Sequence, residues 1–313
     1  MTPRYQEFAV DAALAPHVHC VWSFEASEDG DEQAIPPDGR AELIVHRGAA
    51  YEERGDDGRW RAQPMLLFAG QLTRPLVLRS RGAVAVLAMR FTPAGAWAFA
   101  GRAMARCNDR RIALAELHGA AAAQSLAARL AAARDANAAR AALADYVARR
   151  IALAELHGAA AAEELAVRLA GATDANAARA ALADYVTGQI ALREGRRDAA
   201  VERCVERLYA SEGRVALAEL CALAGVGERQ LQRRFAEVVG IAPRTLAVVV
   251  RLRRLFDALR DAPWSTWSER AQAAGFFDHP QMARDFRRLL GTAPTRWAAR
   301  GPGLATSLAD SAA

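Results

Sequence analysis

The sequence contains no lysine: all 41 basic residues are arginine, and with the heavy use of alanine this bias is typical of a GC-rich genome. We give it no mechanistic role. Cysteine is scarce as well, and the four cysteines, Cys20, Cys107, Cys204 and Cys221, lie far apart without CxxC spacing. This pattern excludes a disulfide framework and a zinc module, and it predicts reduced thiols.

Long apolar runs are absent too. No window approaches eighteen consecutive apolar residues, and the stretch 1–16 contains acids and lacks an apolar core of secretory length. We therefore expect a cytoplasmic protein with no membrane partner. The sequence also lacks a nucleophile–base constellation, a glycine-rich phosphate loop and a paired-carboxylate motif, so we predict neither an enzyme nor a cofactor.

The composition that is present indicates at least two domains. The chain has 313 residues, 52% of them hydrophobic, which is enough for sizeable cores. Its net charge of +5 is unevenly distributed: residues 196–300 hold 19 arginines against 12 acids, and the rest holds 22 against 24. A basic C-terminal third favours nucleic acid as a partner.

That basic third carries two helix-turn-helix patterns, the first at residues 215–240. An apolar stripe precedes a glycine-bearing turn and consists of Leu217, Leu220, Leu223 and Val226. The next helix is predicted to start near Glu228, with Leu231 and Phe235 facing inward. Its opposite face then carries Arg229, Gln232 and Arg233. Because arginine binds guanine bidentately and glutamine binds adenine, this face is a candidate base-reading surface.

The second pattern, at residues 265–291, repeats this plan. Its first helix turns Trp267, Ala271 and Ala274 inward. Asp278 is a suitable N-cap for the second helix, in which Pro280 fits the first turn. The buried stripe of that helix is Met282, Phe286 and Leu289, and the residues left available to a groove are His279, Gln281, Arg284 and Arg288.

A connecting helix is predicted at 243–262, because this stretch starts with proline and has no internal glycine. Its apolar positions are Leu246, Val249, Val250, Leu252, Leu255 and Leu259. A helix of this length spans roughly 30 Å, comparable with one turn of B-DNA. Two heads joined in this way fit successive major grooves of double-stranded DNA.

Both patterns resemble the DNA-binding domain of the AraC/XylS family of transcription regulators, in LAELCALAGVGERQLQRRFAEVVGIAPRTL and AAGFFDHPQMARDFRRLLGTAPTRW. The resemblance implies base-reading positions at Arg229, Gln232 and Arg233 in the first head and at His279, Pro280, Gln281 and Arg284 in the second. The chain departs from the family in three places: Gly227 replaces a capping serine, His279 and Gln281 reverse a common order, and Arg270 occupies a usually apolar position.

The N-terminal third is predicted to be β-rich. Short apolar runs at 17–26, 41–48, 64–71, 74–82 and 83–91 alternate with turns such as PPDG and ERGDDGR, which favours an antiparallel sheet or small barrel. PPDGRAELIVHRG, FAGQLTRPLVLRSRG and MRFTPAGAWAFAG resemble the uncharacterised N-terminal domain of one branch of AraC-type regulators. The resemblance implies a ligand-sensing or dimerising domain, with Arg40 where a small residue or cysteine is common.

The same region offers an alternative metal site. His17 and His19 would share a face of a strand, with Cys20 opposite, and His46 is a conceivable third ligand of a cupin-like barrel. We favour instead strand-edge histidines beside a core containing Trp22, because no acidic residue joins them at a recognisable spacing.

A 39-residue duplication fills the middle of the chain. Residues 112–147 and 151–186 differ at only five of 36 positions. Each copy is predicted to be a helical hairpin, the first with Leu126, Leu130, Leu143, Tyr146 and Val147 facing inward, the second with Leu165, Leu169, Leu182, Tyr185 and Val186. Because two copies are too few for a self-sufficient solenoid, they must pack on the sensor, the head or another chain. Tyr146 and Tyr185 are candidate dimer contacts, and a tolerated insertion is the alternative for the second copy.

Together these features predict an α+β protein: a β-rich sensor-like domain at 1–110, an all-α duplicated linker at 111–195, an all-α tandem helix-turn-helix domain at 196–300 and a disordered tail at 301–313. The predicted function is that of a sequence-specific transcription regulator, with RNA polymerase, a small-molecule effector and a second copy as further candidate partners. The alternatives are a metal-dependent cupin-like enzyme fused to a DNA-binding head, and an architectural protein that binds DNA without sequence preference.

Overall fold

The computed structural model describes residues 3–10, 12, 14–29, 32–156, 197–261 and 266–299. Within these ranges the strands are β1 (Arg4–Phe8), β2 (Val18–Asp29), β3 (Gln33–Ile35), β4 (Glu42–His46), β5 (Glu52–Arg54), β6 (Trp60–Ala62), β7 (Leu66–Ala69), β8 (Leu76–Arg79), β9 (Arg81–Phe91) and β10 (Arg111–Ala113). The described strands form a six-stranded antiparallel sheet, β1-β2-β9-β4-β7-β10, and a four-stranded one, β3-β8-β5-β6.

The described helices of the N-terminal half are α1 (Ala96–Ala100), α2 (Leu114–His118), α3 (Ala120–Ala131) and α4 (Ala136–Leu156). The C-terminal helices are α5 (Ala199–Ala210), α6 (Leu217–Ala224), α7 (Glu228–Val238), α8 (Pro243–Asp261), α9 (Trp267–Ala273), α10 (His279–Leu290) and α11 (Pro294–Ala298). The predicted α+β class is therefore confirmed.

Strict alternation along β2 and β9 builds two cores, one on each face of the six-stranded sheet. On β9, Leu87 and Met89 face the core that the sheet shares with the helices α1 to α4. Val86 and Ala88, between and beside them, face the space between the two sheets. Because both faces are covered, the sheet has no solvated side, and the antiparallel sheet predicted from sequence becomes the middle layer of the domain.

The first repeat copy packs against this sheet as a helical hairpin, as predicted. Leu126 and Leu130 of α3 and Leu143 and Val147 of α4 are buried in the same core as the strands. The second hairpin, with Leu165, Leu169, Leu182, Tyr185 and Val186, lies outside the described residues, as does the tail at 301–313.

The proposed dimer contact at Tyr146 is wrong. Its ring is buried inside the chain, near Phe99, and its hydroxyl lies 3.0 Å from Nδ1 of His118. The other ring nitrogen of His118 lies 2.9 Å from the carbonyl oxygen of Phe99. Burial lowers the pKa of His118 to about 3, so the ring is neutral and joins the helical hairpin to α1.

One identical stretch of the repeat adopts two structures. In the first copy, Arg111–Ala113 is strand β10 and Leu114–His118 is helix α2. In the second copy, the equivalent residues 150–156 continue helix α4. Because the sequences are identical, the difference comes from tertiary context: β10 is held by backbone pairing with β7.

The shared face predicted for His17 and His19 is also wrong. The register of β2 against β9 shifts between Val18 and Cys20, so His19 is exposed while His17, just before the strand, is buried. Within the described ranges, no group of three His, Cys, Asp or Glu side chains is arranged to hold a metal ion. No described helix combines the length and apolarity needed to cross a bilayer.

Candidate nucleic-acid interface

The first helix-turn-helix forms from α6 and α7. Gly225 ends α6 in the left-handed conformation, with a φ of 66°, and Gly227 is the N-cap of α7. No side chain caps α7, because glycine has none to offer. Leu231 and Phe235 are fully buried beneath the helix, as predicted. Leu223, however, is 38% exposed, so its predicted place in the inward stripe of α6 is wrong.

The outer face of α7 presents the predicted trio to solvent. Arg229, Gln232 and Arg233 are all exposed. The side-chain amide of Gln232 donates to Glu228 at 3.0 Å, one turn earlier. Arg229 and Arg233 make no ion pair with any residue in the described part of the chain. Their guanidinium groups are therefore free to meet an external acceptor.

The second helix-turn-helix forms from α9 and α10, and its cap is stronger. Asp278 accepts the backbone N–H of Gln281 at 2.6 Å, and Pro280 lies in the first turn, as predicted. The side-chain oxygen of Gln281 accepts the backbone N–H of Phe277 at 3.0 Å. Gln281 is half-buried and stabilises the turn, which leaves only its amide nitrogen for a base.

The remaining predicted residues of α10 differ in how available they are. His279 and Arg284 are exposed and have no ion pair with any described residue. Arg288 is exposed too, but its guanidinium lies 3.2 Å from Asp285, one turn earlier. Of the predicted arginines on this face, Arg284 is therefore the more available to a ligand. Arg288 must leave its ion pair with Asp285 in order to bind a phosphate of DNA.

The two heads are related by a fixed offset of 51 residues. It relates Leu231 to Met282 and Phe235 to Phe286 in the two cores, and it relates Arg233 to Arg284 on the two exposed faces. The same geometry thus presents, at the same place on each recognition helix, one arginine that has no ion pair with a described residue.

Helix α8 joins the heads and belongs to both cores. Leu246 and Ala247 pack in the first head, and Val248 and Leu252 pack in the second. Between these residues, Arg251 donates to the carbonyl oxygen of Gly213 and lies 5.1 Å from the ring centre of Phe276. The loop before α6 and the turn before α10 are therefore tied to one rigid helix.

Arg270, at a usually apolar position, is accommodated without loosening the second head. It is buried, and its guanidinium lies 5.3 Å from the ring centre of Trp267 on the same helix. Thr266 and Glu269 form a reciprocal capping box at the start of α9. The sequence analysis missed this box, although the spacing of threonine and glutamate predicts it.

Sequence reasoning also missed two exposed residues next to the recognition helices. Phe277 precedes the N-cap of α10 and is 87% exposed, unusual for a phenylalanine. Arg244, in the first turn of α8, is exposed on the first head and lies 3.6 Å from Glu228.

Comparison with known families agrees with this geometry. The family described as "Helix-turn-helix domain" matches residues 220–300, which include both recognition helices. This part of the chain is an AraC-type helix-turn-helix domain. Residues 6–113 match a second family, described as "Domain of unknown function (DUF6597)". The chain is a DNA-binding transcription regulator.

Solved structures with some similarity include a probable AraC family transcriptional regulator from Rhodopseudomonas palustris CGA009, which is 29% identical in sequence. The match covers 33% of this chain and 98% of the solved chain, with a TM-score of 0.29. ToxT from Vibrio cholerae is 11% identical, covering 96% of this chain and 99% of its own, with a TM-score of 0.39. ToxT bound to an unsaturated fatty acid, from Vibrio cholerae strain SCE256, is 9% identical, covering 88% and 92%, with a TM-score of 0.39. No curated protein matches the chain.

Proposed function

We propose that the chain regulates transcription by placing α7 and α10 in two successive major grooves of double-stranded DNA and reading a specific sequence there. The equivalence of Arg233 and Arg284 carries this proposal, because both project from the same position of their heads and neither forms an ion pair with a described residue. The 19 residues of α8 span about 28 Å, comparable with one turn of B-DNA.

The exposed residues divide into base-reading and backbone-binding groups. Arg233 and Arg284 bind guanine edges, while Arg229, Gln232, His279 and the amide nitrogen of Gln281 contact neighbouring bases. Arg244 and Arg288, each already near a carboxylate, contact phosphates and set the orientation of the heads. The N-terminal domain acts as the sensor. Dimerisation, contact with RNA polymerase and action in the cytoplasm are part of the same proposal.

Selection of bound duplexes from a random library tests the reading of sequence. We expect a two-part motif, with its parts about ten base pairs apart, for the wild-type chain. Because each bidentate contact discriminates by about 1–3 kcal/mol, Arg233→Ala/Arg284→Ala should weaken binding to that motif by about thirtyfold or more. Arg203→Ala is the matched control, since Arg203 is equally exposed in the same domain but lies on α5.

Salt dependence separates this proposal from the architectural alternative. If about six phosphates are neutralised, log affinity should fall with log salt with a slope near −5. Steep salt dependence together with a selected motif supports specific regulation. Equally steep dependence without a motif supports an architectural protein, and a flat response contradicts DNA binding through this surface.

A further inference from the structure

A cavity of about 120 Å³ lies in the N-terminal domain, between the two sheets and helix α8 of the DNA-binding domain. Most of its wall is apolar, from the aromatic and aliphatic side chains of Trp22, Phe24, Ile44, Leu78, Val86 and Phe256. An engineered cavity of about 150 Å³ with such a lining stays dry and binds benzene. This cavity therefore fits a compact apolar group no larger than a benzene ring.

Two arginines, one from each domain, form a charged end to this cavity. Arg40 precedes β4 and is 8% exposed, and Arg253 is on α8. Nε and Nη1 of Arg40 and Nη1 of Arg253 are buried without a hydrogen-bond acceptor among the described residues. Burial, and secondarily the charge of Arg40, lowers the pKa of Arg253. Buried guanidinium donors left unpaired are costly, so this end of the cavity favours an anion.

The other charged groups of the lining each have at least one partner. Nε of Arg90 donates to Glu42 at 2.7 Å, and Nε of Arg111 donates to Glu53 at the same distance. Asp38 accepts the backbone N–H of Arg40 and lies 4.0 Å from Nε of Arg90, so its oxygens do not satisfy the Arg40 guanidinium. His46 is kept neutral because burial lowers its pKa. Nη1 of Arg111 is buried without an acceptor too, but Nε of the same guanidinium is paired with Glu53. The guanidinium groups of the lining without a carboxylate partner among the described residues are thus those of Arg40 and Arg253.

We propose that this cavity binds a small monocarboxylate with a benzene-sized apolar body, its carboxylate held between Arg40 and Arg253. A planar carboxylate matches the fork of a guanidinium, and a single negative charge offsets the repulsion between the two arginines. A phosphate fits less well, because the remaining wall is apolar. This proposal names the ligand class of the sensor and rests on the proposed function only for its consequence at DNA.

That consequence follows from the position of Arg253 and Phe256. Both are on α8, the helix that belongs to the cores of the two heads, so a ligand in the cavity touches sensor and heads at once. A ligand that changes how α8 lies against the sensor changes DNA affinity, and DNA changes ligand affinity by the same factor.

Calorimetric titration of the full chain without DNA tests the site itself. The probes are benzoate, cyclohexanecarboxylate and pentanoate, with benzamide as the neutral counterpart of benzoate. We expect benzoate to bind at least tenfold more tightly than benzamide, and Arg40→Gln and Arg253→Gln each to weaken benzoate about tenfold or more while leaving benzamide unchanged. Arg59→Gln is the matched control, since Arg59 is exposed on the loop between β5 and β6.

Three results would overturn the site: no carboxylate binds, benzoate and benzamide bind equally, or benzoate binds both glutamine variants as tightly as it binds the wild-type chain. The comparison of the two probes needs no variant, so it decides the matter even if a substitution unfolds the chain. Repeating the DNA titration with saturating benzoate tests the coupling separately. Unchanged DNA affinity would refute the effector role. If the chain does not bind DNA even without benzoate, the proposed function fails, but the calorimetric result for the ligand site still stands.

Discussion

Removing one buried leucine from the first repeat copy should cost this chain almost nothing. Leu126 on α3 is fully buried in the core shared by the sheet and the hairpin. A leucine-to-alanine substitution at such a position ordinarily lowers the free energy of unfolding by about 2–5 kcal/mol. We predict that Leu126→Ala costs under about 1 kcal/mol here, because the second copy supplies the same buried surface.

The pattern of differences between the copies supports this prediction. The five positions at which they differ are all exposed in the first copy: Gln124, Ser125, Ala128, Ala132 and Arg134. Every buried residue of the first hairpin is retained in the second, so Leu126 has its counterpart in Leu165 and Leu143 in Leu182. Either copy therefore offers the same surface to the sheet, with one 39-residue segment left over.

The magnitude follows from counting two equivalent arrangements. Losing one of two equally stable arrangements costs RT ln 2, about 0.4 kcal/mol. The leftover segment adds little to the difference, because doubling the length of a loop costs only about 0.6 kcal/mol. Leu126→Ala/Leu165→Ala should then show the full loss of about 2–5 kcal/mol, since neither copy retains its leucine.

Urea unfolding followed by far-ultraviolet circular dichroism measures these losses. A chain lacking residues 151–189 is the matched control, because only the first copy remains and Leu126→Ala should cost the full amount. If Leu126→Ala alone costs more than about 2 kcal/mol in the full chain while Leu165→Ala costs nothing, the first copy is the only occupant and the reasoning is refuted.

Three further predictions concern caps and pH. Asp278→Ala should lower the free energy of unfolding by about 0.5–2 kcal/mol, seen in a urea titration, because the cap of α10 is lost; no change would show that the cap is dispensable. Gly227→Ser should raise it by a few tenths of a kcal/mol, since open space surrounds the position; a loss would contradict an unmet cap on α7. Burial lowers the pKa of His118 in the folded chain to about 3. As the pH falls below about 6.5, this histidine therefore takes up a proton in the unfolded chain before it does so in the folded chain. The free energy of unfolding should then fall by up to about 1.4 kcal/mol per pH unit between pH 6 and 4. This dependence of the free energy of unfolding on pH should be lost in the double variant His118→Gln/His157→Gln. An unchanged dependence would show that these histidines do not cause it.

The helix-turn-helix units were predictable because their signals are local. The inward positions of Leu231 and Phe286 follow from helical periodicity, and the cap at Asp278 follows from residue type alone. Leu223 was misplaced because periodicity gives the face of a helix but does not show which positions of that face are covered. The short strand β6 was missed because its side chains are mostly exposed, which removes the alternation that marks a strand.

The arrangement around the repeat and the cavity could not be predicted from the sequence. Residues 111–117 and 150–156 are identical, so no reading of the stretch itself distinguishes strand from helix. Arg40 and Arg253 are 213 residues apart, and each by itself is an ordinary arginine near a loop or on a helix. Their common cavity depends on long-range packing, which local patterns do not encode.

The turn sequence PPDGR has a second role besides joining strands, because it brings the sensor against α8. Gly39 has a φ of 78°, and a Cβ there would lie 2.9 Å from Leu246 and 3.3 Å from Val249. Leu246 belongs to the core of the first head and Val249 to that of the second. The sensor therefore contacts the connecting helix where its packing passes from one head to the other. We expect a shift at this contact to change the angle between the heads, and so their fit to two half-sites, more than the affinity of either head for its own half-site.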